Sequence, residues 1–525
     1  MKRKESFVKN PIKAPQKKYL PLIFKLLIPI FTLLILEFFA RGLSATILKD
    51  YIQKKDLRTK VEKIYIPPPE PSNENVLRLY VYGGSTTAGF PVPKVSFVNQ
   101  LSYQLHHVFG DKNVDVRNLG WSGFTSTMDR YSIISTFWHK PDAMIVYVSH
   151  NEFVHPEIDA LSLYRTISIF RDKSVLFRLL LATSQGGKKP DSPEDNEEPI
   201  ERKRVPYRLI KPYYWAKMAI LKKNYKAIAK IAHDNNVPLI FITAVSNVGQ
   251  WSPPERQVTF FTPNKKNQAD LKKVRTLLSK NRLDEAEKII NEHLKKNPED
   301  PYFLFFRGQI AGMHGNWDQT RNNFEEAKDQ DLLQWRANKE INDFVRSLDD
   351  GETIRVLDAE EIFKKHSPNE ITDYSLFLDN VHPNIEGHYL LASSIIDLLR
   401  KDKIVEKDWW EKSNNLLTLD ELLREIQVSQ DDEFQMAFIT ASYCIKNPFF
   451  NYQCALDYLE KAEKINPDDW RISASRAVIA YLSENIKEAE RLYKTATELH
   501  GRSIDDKETL EVPYLSHLKK RLEGL

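Results

Sequence analysis

The chain of 525 residues contains only two cysteines, Cys444 and Cys454. That is too few for a disulfide framework or a structural zinc site. They read as small buried hydrophobes, or as one bridge if their domain meets an oxidising compartment. A dominant charge is lacking as well: 76 basic against 72 acidic residues leave a net +4. This balance argues against nucleic acid as a partner through bulk charge. No lysine follows the last glycine of Gly83 to Gly89, which argues against a nucleotide P-loop. His150 and His155 lie five residues apart, a spacing that does not put both on one helical face as a zinc pair needs. No metal and no cofactor is expected.

The length predicts about two to four domains. Hydrophobic residues at 42% and charged residues at 28% suit a globular protein. The basic excess sits at the front, where Lys2, Arg3, Lys4, Lys9, Lys13, Lys17 and Lys18 face Glu5 alone. Leu20 to Ala40 then forms an apolar run long enough to cross a bilayer, with Lys25 and Glu37 near its ends. The basic leader predicts a cytoplasmic amino terminus, so later residues would lie outside the cytoplasm. No small-x-small cleavage site follows directly, which favours an uncleaved anchor over a cleaved signal sequence. Residues 1–18 are thus read as a leader, 19–43 as a transmembrane anchor and 44–75 as a stalk stiffened by Pro67, Pro68, Pro69 and Pro71.

Leu79 to Tyr82 is a short apolar run that ends in Gly83-Gly84-Ser85. It predicts a buried strand, a tight turn and a helix. The glycines permit the turn and let a substrate approach the backbone. Phe97 to Phe109 predicts an amphipathic helix, Val114 to Gly120 a second strand, Thr127 to Trp138 a helix and Ala143 to Val148 a third strand. Residues 156–213 break the pattern, and Gln185 to Arg204 reads as a polar surface loop. Tyr214 to His233 predicts a helix, Val237 to Thr243 and Ile354 to Asp358 two more strands, and Gly387 to Leu399 a closing helix. Strands alternating with helices predict an α/β domain with a doubly wound parallel sheet.

Two stretches follow another rule. At a 34-residue offset Leu283 matches Trp317 and Ile290 matches Phe324, and later Ala455 matches Ala489 and Ala462 matches Ala496. Paired amphipathic helices at that period form the tetratricopeptide pattern, with a generic helical hairpin as the plainer reading. The expected division is 76–265 and 346–402 for the sheet domain, 266–345 for inserted repeats and 403–525 for a carboxyl-terminal helical region. The repeats would offer a groove to a protein partner.

Four short blocks carry chemistry: Gly83-Gly84-Ser85, Asn118 to Gly123, Ser149-His150-Asn151-Glu152 and Asp379-Asn380-Val381-His382-Pro383. Three follow predicted strands, whose carboxyl ends share one edge of a parallel sheet. A serine hydroxyl needs a base, histidine suits neutral pH, and a carboxylate fixes the imidazole tautomer. The blocks resemble the SGNH (GDSL-like) hydrolase superfamily over about residues 76–400. They look most like a membrane-anchored subgroup that carries tetratricopeptide repeats, as His150-Asn151-Glu152-Phe153 and Ser246-Asn247 suggest. The resemblance implies a flavodoxin-like three-layer α/β/α domain with Ser85 as nucleophile, His382 as base and Asp379 as its orienting acid. It assigns the oxyanion hole to the Gly123 amide and the Asn151 side chain, together with the Ser85 amide. The superfamily's usual Gly-Asp-Ser is Gly83-Gly84-Ser85 here, and its usual Gly-x-Asn-Asp is Ser149 to Glu152. His150 reads as a residue that shapes the pocket, and Trp121 as packing or as a lining of a sugar or acyl site. The expected activity is hydrolysis of an acyl ester, a polysaccharide O-acetyl group or a lipid. The expected location is the membrane, with the catalytic domain outside the cytoplasm, as in a bacterial periplasm. An acyltransferase would use the same residues, and a scaffold would use the repeats alone.

Overall fold

The structure is a computed structural model that describes residues 76–110, 113–148, 150–153, 211–253, 265–332, 334–405, 407–410, 415–446 and 452–523. All of them belong to one compact unit, Pro67–Asp159 with Glu197–Leu525. The leader, anchor and stalk, and nearly all of the 156–213 segment, lie outside the described residues. Among the described residues, no helix is long and apolar enough to cross a membrane.

Five strands form one sheet: β1 (Val76–Gly83), β2 (Asn113–Asn118), β3 (Ala143–Tyr147), β4 (Leu239–Ile242) and β5 (Ile354–Leu357). All are parallel, in the order β2-β1-β3-β4-β5. The order reverses between β1 and β3, and a crevice opens at the carboxyl ends of strands around such a point. The inner strands β3 and β4 are apolar without alternation because helices cover both faces, whereas the edge strand β2 alternates. Leu77, Leu79 and Val81 share a core with Ala143, Ile145 and the helices Phe97–Phe109 and Ile385–Lys401. The side chains between them point the other way. There the Tyr82 hydroxyl meets Thr136 Oγ1 at 2.8 Å, on the helix Ser126–Thr136, and Phe241 packs edge-on against Tyr225 of the helix Lys211–Asn235.

The elements follow the apolar pattern closely. The helix Phe97–Phe109 has the expected bounds, whereas the fourth strand shrinks to Leu239–Ile242. Its shortening at the amino end has a local cause, since Pro238 has no N–H for a ladder, whereas Thr243 N–H still donates to Leu357 C=O at 3.1 Å. The expectation that the glycines let a substrate approach is replaced at Gly83 by a packing reason. A Cβ there would run into the Thr87 hydroxyl and the Tyr147 carbonyl, so the turn closes directly on β3.

Two stacks of helices flank the sheet. Lys265–Ser279, Leu283–Leu294, Pro301–Met313 and Trp317–Asp329 pack each on the next. Leu283 and Trp317 each open a helix, and Ile290 and Phe324 meet in one core. The second stack comprises Gln430–Lys446, Tyr452–Ile465, Trp470–Leu482 and Ile486–His500. Ala455, Ala462, Ala489 and Ala496 are fully buried in it. Cys444 and Cys454 are buried there and joined as a disulfide, the bridge that sequence alone ranks second to small buried hydrophobes. The two stacks reach the sheet domain through the same loops. Val248 and Ile371 enter the core of the first stack, and Trp251 and Tyr374 enter that of the second. Residues 334–346 belong with the sheet, because Asn342 brackets the Ala244 backbone, accepting at 3.0 Å and donating at 2.8 Å.

Candidate active site

Ser85 follows β1 directly and opens the four-residue helix Ser85–Ala88, with its backbone carbonyl tied to Gly89 and Phe90. His382 comes from the other end of the fold. It sits on a tight hairpin in which Phe377 bridges Pro383 and Leu378 N–H donates to His382 C=O at 2.8 Å. Asn384 closes the hairpin by capping the helix Ile385–Lys401 through Gly387 N–H.

The two ends meet. Ser85 Oγ lies 2.6 Å from His382 Nε2, and His382 Nδ1 lies 2.6 Å from Asp379 Oδ2. Asp379 Oδ1 also accepts from the backbone N–H groups of Val381 and His382, at 2.8 and 2.7 Å. Burial alone would raise the Asp379 pKa, yet the His382 charge and these hydrogen bonds hold it below the ordinary value. An ionised carboxylate only accepts, so Nδ1 carries the proton and Nε2 accepts from the serine hydroxyl. Phe90 lies against the imidazole, with ring centroids 4.7 Å apart.

Asn151 lies just beyond β3 and lines the same cavity as Ser85 and His382. Its side-chain Nδ2 donates to the Phe124 carbonyl at 3.1 Å, which holds the amide beside the loop that contains Gly123. Gly123 has a left-handed φ of 85° in that loop and is not among the residues that line the cavity. Glu152 works on the neighbouring helix. Its two oxygens take the Ser126 N–H and hydroxyl, each at 3.0 Å, where the Thr125 side chain provides no cap. Ser149 lies outside the described residues. Trp121 is exposed and does not line the cavity.

The cavity is small, about 110 Å³, and also takes in Tyr147, His150, Trp335, Asn380 and Tyr443. Sequence reasoning missed Trp335 and Tyr443. Trp335 follows the first helical stack, and Tyr443 lies on the first helix of the second. Neither sits near a block that carries chemistry, so only packing could reveal them. Asn380 was legible as the residue after Asp379, though no rule assigned it a role. Among the described residues, no group of three or more His, Cys, Asp and Glu is placed to hold a metal ion.

The arrangement suits removal of a proton from Ser85 by an oriented imidazole beside a small, partly apolar cavity. Comparison with models of known protein families gives no match to this chain, and comparison with curated proteins gives none either.

Proposed function

We propose that the chain is a serine esterase of the SGNH type, an O-acyl hydrolase that works through Ser85, His382 and Asp379. The observation that carries this reading is the continuous hydrogen-bond chain among these three residues. Ser85 and His382 are 297 positions apart in sequence. In the proposed reaction Ser85 Oγ attacks the acyl carbon while His382 takes its proton. The Ser85 amide and the Asn151 side chain hold the oxyanion, joined by the Gly123 amide if its loop closes on the bound ester. The tetrahedral intermediate then collapses, His382 protonates the departing alcohol, and an acyl-Ser85 ester remains. Water, deprotonated by His382, releases the acid and restores Ser85.

The strand order supports the flavodoxin-like arrangement within this reading. The helix pairs at a 34-residue offset support tetratricopeptide-type repeats. The basic leader and the Leu20–Ala40 run support a membrane anchor with the catalytic domain outside the cytoplasm. The disulfide between Cys444 and Cys454 agrees with an oxidising compartment.

Fluorophosphonate labelling and turnover of p-nitrophenyl acetate, wild type against Ser85→Ala, test the proposal. Labelling of wild type alone, with kcat lower in the variant by roughly 10³-fold or more, is the expected result. A wild-type chain that neither labels nor turns over would favour the scaffold reading. Labelling together with acyl transfer to an added sugar in place of water would favour the transferase.

A further inference from the structure

His150 is buried at the wall of the cavity, and its two ring nitrogens have different surroundings. Nδ1 accepts the backbone N–H of Ala337 at 3.0 Å. An imidazole nitrogen that accepts has no hydrogen, so the proton of the neutral ring sits on Nε2. Burial, and secondarily the nearby His382, push the His150 pKa down to about 3, which keeps the ring neutral. This is the opposite tautomer to that of His382. Nε2 is buried and makes no full hydrogen bond among the described residues, although the Val245 backbone also acts on the ring. A buried donor left unpartnered is costly unless a ligand completes it.

A second donor lies on the same wall. The Asn380 side-chain nitrogen is also buried and without a partner among the described residues. Beside His150 and the tyrosines, the ionisable groups on this wall are Asp379 and His382, and among the described residues no lysine or arginine lines the cavity. Trp335 and Tyr443 add aromatic surface. Without a cation among its described residues, such a wall offers a carboxylate or phosphate hydrogen bonds but no counter-charge. It suits hydroxyl, ether and carbonyl oxygens on a compact group with apolar faces.

We propose that His150 binds substrate, donating from Nε2 to an oxygen of a neutral, hydroxyl-bearing ester with a short acyl group, and that Asn380 supplies a second donor. An acylated sugar has this chemistry. The proposal rests on the esterase reading of the same cavity, but its test does not require turnover.

The test measures binding of methyl 3-O-acetyl-xyloside, which keeps two free hydroxyls, by the full-length chain carrying Ser85→Ala, which removes the nucleophile and leaves His150 in place. Two further substitutions divide the functions of the ring. His150→Asn keeps an acceptor near the Nδ1 position for Ala337 but has no donor at the Nε2 position. His150→Gln places an amide N–H near the Nε2 position and loses the acceptor. Binding weakened about tenfold or more by Asn, and restored to within about threefold by Gln, is the expected order. The reverse order would make His150 a structural partner of Ala337 and overturn the proposal. Equal affinity across the variants, or no binding of the probe by Ser85→Ala, would overturn it too. Failure of wild-type Ser85 to label with fluorophosphonate would instead overturn the esterase reading, because the binding series involves no bond-making.

Discussion

Asp379 divides its work between its two oxygens. One accepts the imidazole N–H, and the other accepts two backbone N–H groups of its own loop. The carboxylate therefore sets both the tautomer of His382 and the shape of the hairpin. Asp379→Asn would present an N–H at one of two positions where only an acceptor fits. The expected loss in kcat for ester hydrolysis is roughly 10³- to 10⁴-fold, measured with melting temperature as a control for folding. The same Asp-x-x-His spacing made the pair legible in sequence. Asp129 was not legible in this way. It reads as an ordinary acidic residue in the first turn of a helix, yet it is fully buried with both oxygens unpartnered among the described residues. Burial, with the Glu152 charge beside it, holds its pKa well above the ordinary 3.8. A raised folded pKa means that this group favours the folded state most below the unfolded value and loses that contribution as pH rises. Asp129→Asn should thus raise the melting temperature by a few degrees at pH about 8, with the gain vanishing near pH about 4. An unchanged difference across that range would show that Asp129 is ionised in the folded chain.

At the scale of elements, the helix Ile385–Lys401 positions the catalytic hairpin through one residue without a side chain. A Cβ on Gly387 would collide with the Leu376 carbonyl and approach Pro383 Cβ to 2.8 Å. Gly387→Ala must push the helix off the hairpin, at a cost of about 1–3 kcal/mol in unfolding free energy. Because Pro383 follows His382, kcat should fall along with stability. The first helical stack is fastened by charge. Lys328 Nζ lies 2.6 Å from Glu325 and 3.1 Å from Glu360, and Arg346 meets Glu360 and Asp358 at 2.6 and 2.8 Å. Lys328→Met removes the buried cation between Glu325 and Glu360, which keep only Lys364 and Arg346, and should cost about 3 kcal/mol by denaturant titration. Burial alone would raise the Glu360 pKa, but Lys328, Lys364 and Arg346 bring it down to about 2 from an ordinary 4.5. Its contribution is present above pH 4.5 and is lost as pH falls toward 2, and in Lys328→Met that acid slope should flatten. The strands and their helices could be read from apolar runs because each run answers to local burial. The ion cluster could not, since Lys328 and Glu360 are 32 positions apart and look like solvated charges.

For the whole molecule, the repeat period was legible from residues such as Ala455 and Ala489, which recur because close helix packing admits only small side chains there. Where the stacks dock was not legible. It depends on Val248, Trp251, Ile371 and Tyr374, single residues in loops that carry no period. Tyr443 and Trp335 reach the cavity as a result of that docking. Tyr443→Ala should lower kcat/KM for the acetate ester about tenfold while far-ultraviolet circular dichroism stays unchanged. An unaltered kcat/KM would place Tyr443 outside the path of the substrate.

The shared wall also changes how a genetic experiment must be read. In most enzymes with an appended repeat domain, deleting the repeats and losing the phenotype signals lost recruitment. Here, on the proposed esterase reading, the same deletion also removes Tyr443 from the cavity that holds Ser85 and His382. A cell carrying it would resemble one with a dead nucleophile, even if the repeats had never met a partner. Only substitutions on the outer faces of the helices, away from Tyr443 and Trp335, can separate an address from an activity.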